Sequence, residues 1–151
     1  MLKDLNSENE MKLFGESIGL LLNGGEIIEL IGDVGSGKTT LAKGIAVGLG
    51  VKEYVQSPSF TINRVYKGRN NLTLVHYDFY RLDKAGIMAN ELQEVILDSN
   101  TVTIIEWAGV VEGVLPKDRL SIQLTSTSEN SRKLVMKYGG KISHQIMEKV
   151  K

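Results

Sequence analysis

The chain contains no cysteine. That excludes disulfides and any thiolate metal site, and it fits a reducing compartment, so a cytoplasmic location is expected. Net charge is absent as well, because 18 Lys and Arg balance 18 Asp and Glu. A balanced chain is not a strongly basic nucleic-acid binder working alone, although it could still carry a local basic patch. Long hydrophobic runs are missing too. The apolar stretches are far too short to span a bilayer, and Met1–Glu10 is polar, without the apolar run of a signal peptide. No membrane association is expected. No repeat, low-complexity segment or linker divides the chain. Its 42% hydrophobic and 24% charged residues form an ordinary soluble mixture, so one domain over residues 1–151 is expected.

What is present reads as alternating helices and strands. Ser7-Glu8-Asn9-Glu10 has the spacing of a capping box. Met11, Phe14, Ile18, Leu21 and Leu22 follow at helical spacing, and Gly24-Gly25 supplies a stop. Ile27 to Ile31 is a short apolar run broken by Glu29, which predicts a buried strand. A glycine-rich loop comes next, then a helix from about Lys38 to Leu49, with Gly50 after it. Phe60 to Tyr66 and Leu72 to Tyr77 flank the turn-forming Lys67-Gly68-Arg69-Asn70-Asn71 and predict a hairpin. Asp83 to Leu97 reads as helical in its second half. Thr101 to Ile105, Leu120 to Leu124 and Lys133 to Tyr138 read as strands, and Ile142 to Val150 as a terminal helix. The order predicts an α/β, P-loop NTPase-like three-layer fold with a mixed central sheet, its strand order left open.

The loop carries the chemistry. Gly32-Asp33-Val34-Gly35-Ser36-Gly37-Lys38-Thr39 is a complete G-x-x-x-x-G-K-T motif between a predicted strand and a predicted helix. The glycines let backbone N–H groups approach phosphate oxygens, and the helix N-terminus adds partial positive charge. Asp33, Val34, Gly35, Ser36, Gly37, Lys38, Thr39 and Thr40 are therefore candidate nucleotide-binding residues. Lys38 would place a point charge on the β- and γ-phosphates. Thr39 offers a hard oxygen to Mg2+, and Thr40 a hydroxyl to the α-phosphate end. ATP with Mg2+ is the expected ligand.

Phosphoryl transfer also needs acids opposite the loop. Glu106 ends the strand Thr101–Ile105 and is the candidate metal ligand, directly or through water. Asp78 follows Leu74-Val75-His76-Tyr77 and is the candidate for activating the attacking water. Lys38, Asp78 and Glu106 are the candidate catalytic residues. Trp107 beside Glu106 reads either as a core tryptophan or as a contact to the nucleotide. His76 reads either as a structural histidine or as a catalytic one. Asp83-Lys84-Ala85-Gly86 matches the short D-x-x-G pattern of GTPases, but no N-K-x-D or T-K-x-D is present to read guanine. A small-molecule kinase of the P-loop class is the alternative. Such kinases use several arginines in a phosphate-clamping lid, and here only five arginines occur, scattered along the chain. A nucleotide-dependent binding switch without turnover is a third possibility.

Four segments together resemble a known family. They are the loop through Thr40, Ser57-Pro58-Ser59-Phe60-Thr61, His76-Tyr77-Asp78-Phe79-Tyr80-Arg81-Leu82 and Ile105-Glu106-Trp107. In this order, over roughly Ser7 to Arg132, they are similar to the TsaE (YjeE) family, the ATPase of bacterial tRNA threonylcarbamoyladenosine biosynthesis. The resemblance implies that Ser57–Thr61 is a switch-like segment near the γ-phosphate. It implies that Asp78 and Glu106 are the catalytic and magnesium-associated acids, with Trp107 in the same site. It also implies TsaB and TsaD as partner proteins, with tRNA reached indirectly through their complex. Residues near the adenine would lie around Asn6-Ser7. The chain departs from the family at Ser59, where threonine is usual, and at Ala108-Gly109, where an acid usually follows Glu-Trp.

Overall fold

The computed structural model describes residues 1–150. Seven strands form one sheet: β1 (Leu2–Leu5), β2 (Ile27–Ile31), β3 (Asn63–Lys67), β4 (Thr73–Asp78), β5 (Thr101–Glu106), β6 (Leu120–Ser126) and β7 (Arg132–Tyr138). Their order is β1-β7-β6-β2-β5-β4-β3. β6, β2, β5 and β4 run parallel, while β7, β1 and β3 join antiparallel at the edges. The sheet is therefore mixed, as expected. Among the described residues four α-helices complete the fold: α1 (Glu8–Gly19), α2 (Lys38–Gly48), α3 (Ile87–Leu97) and α4 (Lys141–Lys149).

Strand alternation sorts the core into two layers. Ile28 and Leu30 of β2, Leu74 of β4, Val102 and Ile104 of β5 and Leu120, Ile122 and Leu124 of β6 join the core built by α1, α2 and α4. Ile27, Val75, Tyr77 and Ile105 face the other way, with Leu92 of α3 and Val111 of the 3₁₀ segment Ala108–Val114. These are the three layers that the pattern predicts.

Local signals explain most elements. Ser7 caps α1 by accepting the Glu10 N–H at 3.1 Å. The return arm of the box lands one residue early, with Glu10 Oε2 accepting from the Asn6 N–H at 2.6 Å. α1 and α2 approach so closely that a Cβ at Gly15, Gly19, Gly44 or Gly48 would fall on backbone of the facing helix. Arg69 then ties the far ends of both helices, donating to the carbonyls of Gly48 (2.5 Å) and Leu22 (2.6 Å).

Three elements differ from expectation. β1 lies in a stretch read only as polar; Leu5 is its sole buried residue, so alternation is too short to show. β3 begins at Asn63 and not at Phe60, because Pro58–Ile62 forms a turn closed by the Ile62 N–H to Pro58 O bond at 2.6 Å. Ala108–Val114 is 3₁₀-helical, a segment with no periodic signal. Among the described residues no helix is long and apolar enough to cross a membrane.

Candidate functional site

Parallel pairing brings the site together. β2 delivers Gly32 at its C-terminal end, while β5 and β4 deliver Glu106 and Asp78 at theirs. Glu106 pairs in register with Leu30 on one side and with Asp78 on the other. All three ends therefore open on the same edge of the sheet, where α/β folds bind ligands. By alternation both carboxylates point to the α2 side. They line one cleft of about 450 Å³ with Val34, Gly35, Gly37, Lys38, Thr39, Thr40 and Trp107.

The loop has the geometry of a phosphate cradle. Gly35 and Gly37 adopt φ of 81° and 103°, left-handed values that favour glycine. A side chain at Gly32 would meet Ser36 Oγ and Leu124 O. α2 starts directly at Lys38, so its free N–H groups face the cleft. Lys38 Nζ donates to the loop carbonyls of Gly32 (2.6 Å) and Asp33 (2.8 Å), and lies 5.0 Å from the Trp107 ring. Burial lowers the pKa of Lys38, opposed by the negative charges of Glu106, Asp78 and Asp33.

The two acids are held differently. Asp78 Oδ1 accepts the Tyr80 N–H at 2.9 Å, and Glu106 Oε2 lies 2.7 Å from His76 Nε2. Burial raises the pKa of Asp78; the Tyr80 N–H opposes the rise and nearby Glu106 adds to it. Among the described residues no cluster of three or more acids and histidines would hold a metal unaided. Two acids plus the Thr39 hydroxyl suit Mg2+ arriving with nucleotide phosphates, since this ion keeps few protein ligands. Ser36 Oγ is buried without a partner, another polar atom in the loop.

Two of the expected residues sit elsewhere in the loop. Asp33 and Ser36 line a second cavity of about 650 Å³, behind the loop against Gln123, Thr125 and Ser126. Their side chains do not line the cleft; Asp33 contributes its carbonyl to Lys38. Trp107 lines both cavities in a left-handed conformation (φ 56°, ψ 51°) and packs on Tyr80 at 4.9 Å. It is neither fully buried nor remote: 37% of it is exposed at the cleft mouth.

Other residues in the cleft were not foreseen. Glu8 and Met11 of α1 adjoin Ser7, near the region expected for adenine, while Glu129 and Asn130 come from the β6–β7 turn and Arg132 from the start of β7. Arg132 Nε donates to Ser36 O at 3.0 Å, pinning that turn to the phosphate loop. The contact spans 96 residues, so no local pattern signals it. Ser57 and Ser59 line the cleft as expected. Their loop joins the site through the Asp78 N–H to Ile62 O bond at 2.8 Å, and Phe60 lies under Arg81 at 4.3 Å.

The site is thus that of an α/β protein in which two strand-end acids face a glycine-rich loop with the G-x-x-x-x-G-K-T spacing. The chain belongs to the TsaE family: the family model "Threonylcarbamoyl adenosine biosynthesis protein TsaE" matches residues 5–134. A Treponema pallidum protein named "tRNA threonylcarbamoyladenosine biosynthesis protein TsaE" is 34% identical over 86% of this chain and 95% of its own length. A protein of that name from Streptomyces coelicolor is 40% identical over 76% of the chain and 78% of its length. The crystal structure of Bacillus subtilis YdiB superposes with a TM-score of 0.82 at 28% identity, covering 99% of this chain and 93% of that one. These likenesses favour the tRNA-modification reading over the small-molecule kinase.

Proposed function

We propose that the chain binds and hydrolyses ATP with Mg2+ in the cleft, and so supports threonylcarbamoyl transfer to the adenosine beside the tRNA anticodon. Membership of the family supports the pathway, and TsaB and TsaD are the partners it implies. A role in tRNA modification would put its work in the cytoplasm. One observation carries the chemical reading: Asp78 and Glu106 stand in register at adjacent strand ends, in one cleft with Lys38 and Thr39.

Each residue then has a task. Backbone N–H groups of Val34 to Thr39 cradle the phosphates. Lys38 exchanges the carbonyls of Gly32 and Asp33 for β- and γ-phosphate oxygens. Thr39 and Glu106 would hold the magnesium ion, which neutralises charge developing on the phosphates. Asp78 orients the attacking water and accepts its proton. Its raised pKa suits it to that task, because a carboxylate closer to neutral is a better proton acceptor. Trp107 and Tyr80 wall the mouth. The Ser57–Thr61 loop, tied to Asp78 through Ile62, would close over the γ-phosphate when a partner docks.

The test is steady-state ATP hydrolysis by the chain alone, then with TsaB and TsaD from the same organism, with and without tRNA. Slow turnover alone that the partners change is expected. Fast turnover indifferent to them would overturn the reading.

A further inference from the structure

The two strand-end acids owe their orientation to different kinds of partner. Asp78 is held by a backbone N–H, which any sequence supplies. Glu106 is held by a side chain, His76, which is fully buried two residues before Asp78 on β4. Alternation puts His76 on the same face as Glu106, and its backbone pairs with Ile104, so the ring lies beneath the carboxylate on the side away from the cleft.

A carboxylate accepts and does not donate, so His76 Nε2 carries the hydrogen in the 2.7 Å contact to Glu106 Oε2. The other ring nitrogen, Nδ1, is buried with no partner. The neighbouring residues on this face, Leu74 and Ile104, are apolar and buried. An aliphatic side chain would pack among them without stranding a polar atom. The one polar return for placing histidine here is its bond to Glu106. That bond occupies Oε2 and leaves Oε1 as the oxygen without a protein donor.

We infer that His76 is a positioning residue for magnesium: by holding Oε2, it presents the single oxygen Oε1 of Glu106 to the metal–phosphate group. The inference rests on the proposed reading of Glu106 as the metal-side acid. Partners that orient a metal-ligating group in this way typically change metal affinity by about 10–100-fold when removed.

The experiment is calorimetric titration with the β,γ-imido analogue of ATP, with Mg2+ and with EDTA, on the wild-type chain and three variants. The ratio of the two affinities isolates the metal contribution. His76→Leu, which has no donor, should lower that ratio at least about tenfold while leaving the EDTA affinity unchanged. His76→Gln, whose amide nitrogen reaches about as far as Nε2, should restore most of it, and the shorter His76→Asn should not. Should the leucine variant fail to fold, the Gln and Asn pair decides, with thermal unfolding as the check on integrity. A full magnesium enhancement in folded Leu or Asn variants would overturn the inference. So would a Gln variant as impaired as the Asn variant, since that is a packing role alone. A wild-type chain whose analogue affinity ignores magnesium would overturn the reading of Glu106 and this inference with it.

Discussion

Lys38 would have two sets of partners under the proposed function, and the competition between them would set its effect. Without nucleotide its ammonium is satisfied by Gly32 O and Asp33 O. On the proposed reading, nucleotide binding would replace neutral carbonyls with phosphate oxygens, and charge-assisted bonds are roughly twice as strong. Lys38→Ala should weaken ATP binding by about 2–3 kcal/mol, some 30- to 150-fold, in a chain that still unfolds cooperatively. Calorimetric titration checks it, and unchanged affinity would remove Lys38 from the site. Asp78 should show the opposite balance between stability and function. Its pKa is raised in the folded state, so the folded chain binds that proton more tightly than the unfolded chain does. As pH rises from the ordinary Asp range through the raised value, stability falls, and it stays lower above that window. Asp78→Asn removes the charge and keeps an oxygen for the Tyr80 N–H. The variant should therefore melt above wild type at neutral pH. The gap should close near pH ~4 and below, where the wild-type carboxyl is protonated as well. Its hydrolysis should be slower with nucleotide affinity largely spared. A variant that melts at or below wild type at neutral pH contradicts the first expectation, and wild-type turnover contradicts the second. These residues were legible because their signals are local: a fixed spacing for the loop, a strand-end position for each acid. Glu129, Asn130 and Arg132 were not, since they reach the cleft only through the pairing of β6 with β2.

Among the elements, the α1–α2 pair is the tightest contact and the most sensitive to added volume. The glycines at 15, 19, 44 and 48 bring the two backbones together, and Arg69 bonds the carbonyls at the ends of both. Gly48→Ala sets two effects against each other. Alanine gains about 1 kcal/mol of helix propensity over glycine. Its Cβ would fall on the Glu16 carbonyl oxygen, which is backbone and cannot rotate away. Overpacking of this kind costs about 1–3 kcal/mol or more once backbone must shift, so the clash should win. For a domain of this size the melting temperature should drop by several degrees, at about 2–4 °C per kcal/mol. An unchanged or higher midpoint would mean the helices separate freely. The consequence extends to the site, because α2 begins at Lys38. α1 was readable from its helical periodicity, α2 from its place between the glycine-rich loop and Gly50, and β2 and β5 from short apolar runs buried on both faces. Periodicity did not reveal β1, an edge strand of four residues with one buried side chain. Nor did it reveal the strand order, which depends on pairings between segments far apart in the chain, such as Val75 with Thr103 and Ile28 with Leu120. The closeness of His76 to Glu106 follows from that order and was hidden with it.

Taken whole, the molecule has no net positive charge to offer a polyanion. The chain is formally neutral. Its arginines are largely committed: Arg69 to helix-end carbonyls, Arg119 to Glu29 and Glu112, Arg132 to the phosphate loop and its own turn, and Arg81 to the face of Phe60. Two consequences follow. The transition state of phosphoryl transfer is normally met by added positive charge, and an inserted arginine contributes a factor of about 10³–10⁵. With four of its five arginines engaged, the chain alone should turn ATP over slowly, and a partner seated against the Phe60, Tyr80 and Trp107 rim is the natural source of the missing charge. The same accounting applies to tRNA. Affinity for a polyanion rises with the number of phosphates neutralised, and each one steepens the fall of affinity with salt. A surface without net positive charge should neutralise few. Fluorescence anisotropy with labelled tRNA should therefore give the chain alone a dissociation constant no tighter than about 10⁻⁶ M at physiological salt, with a shallow salt dependence. Adding TsaB and TsaD should tighten binding through the assembled complex. Submicromolar binding by the isolated chain, with a steep salt slope, would instead mean that a basic surface on this protein reads the tRNA directly.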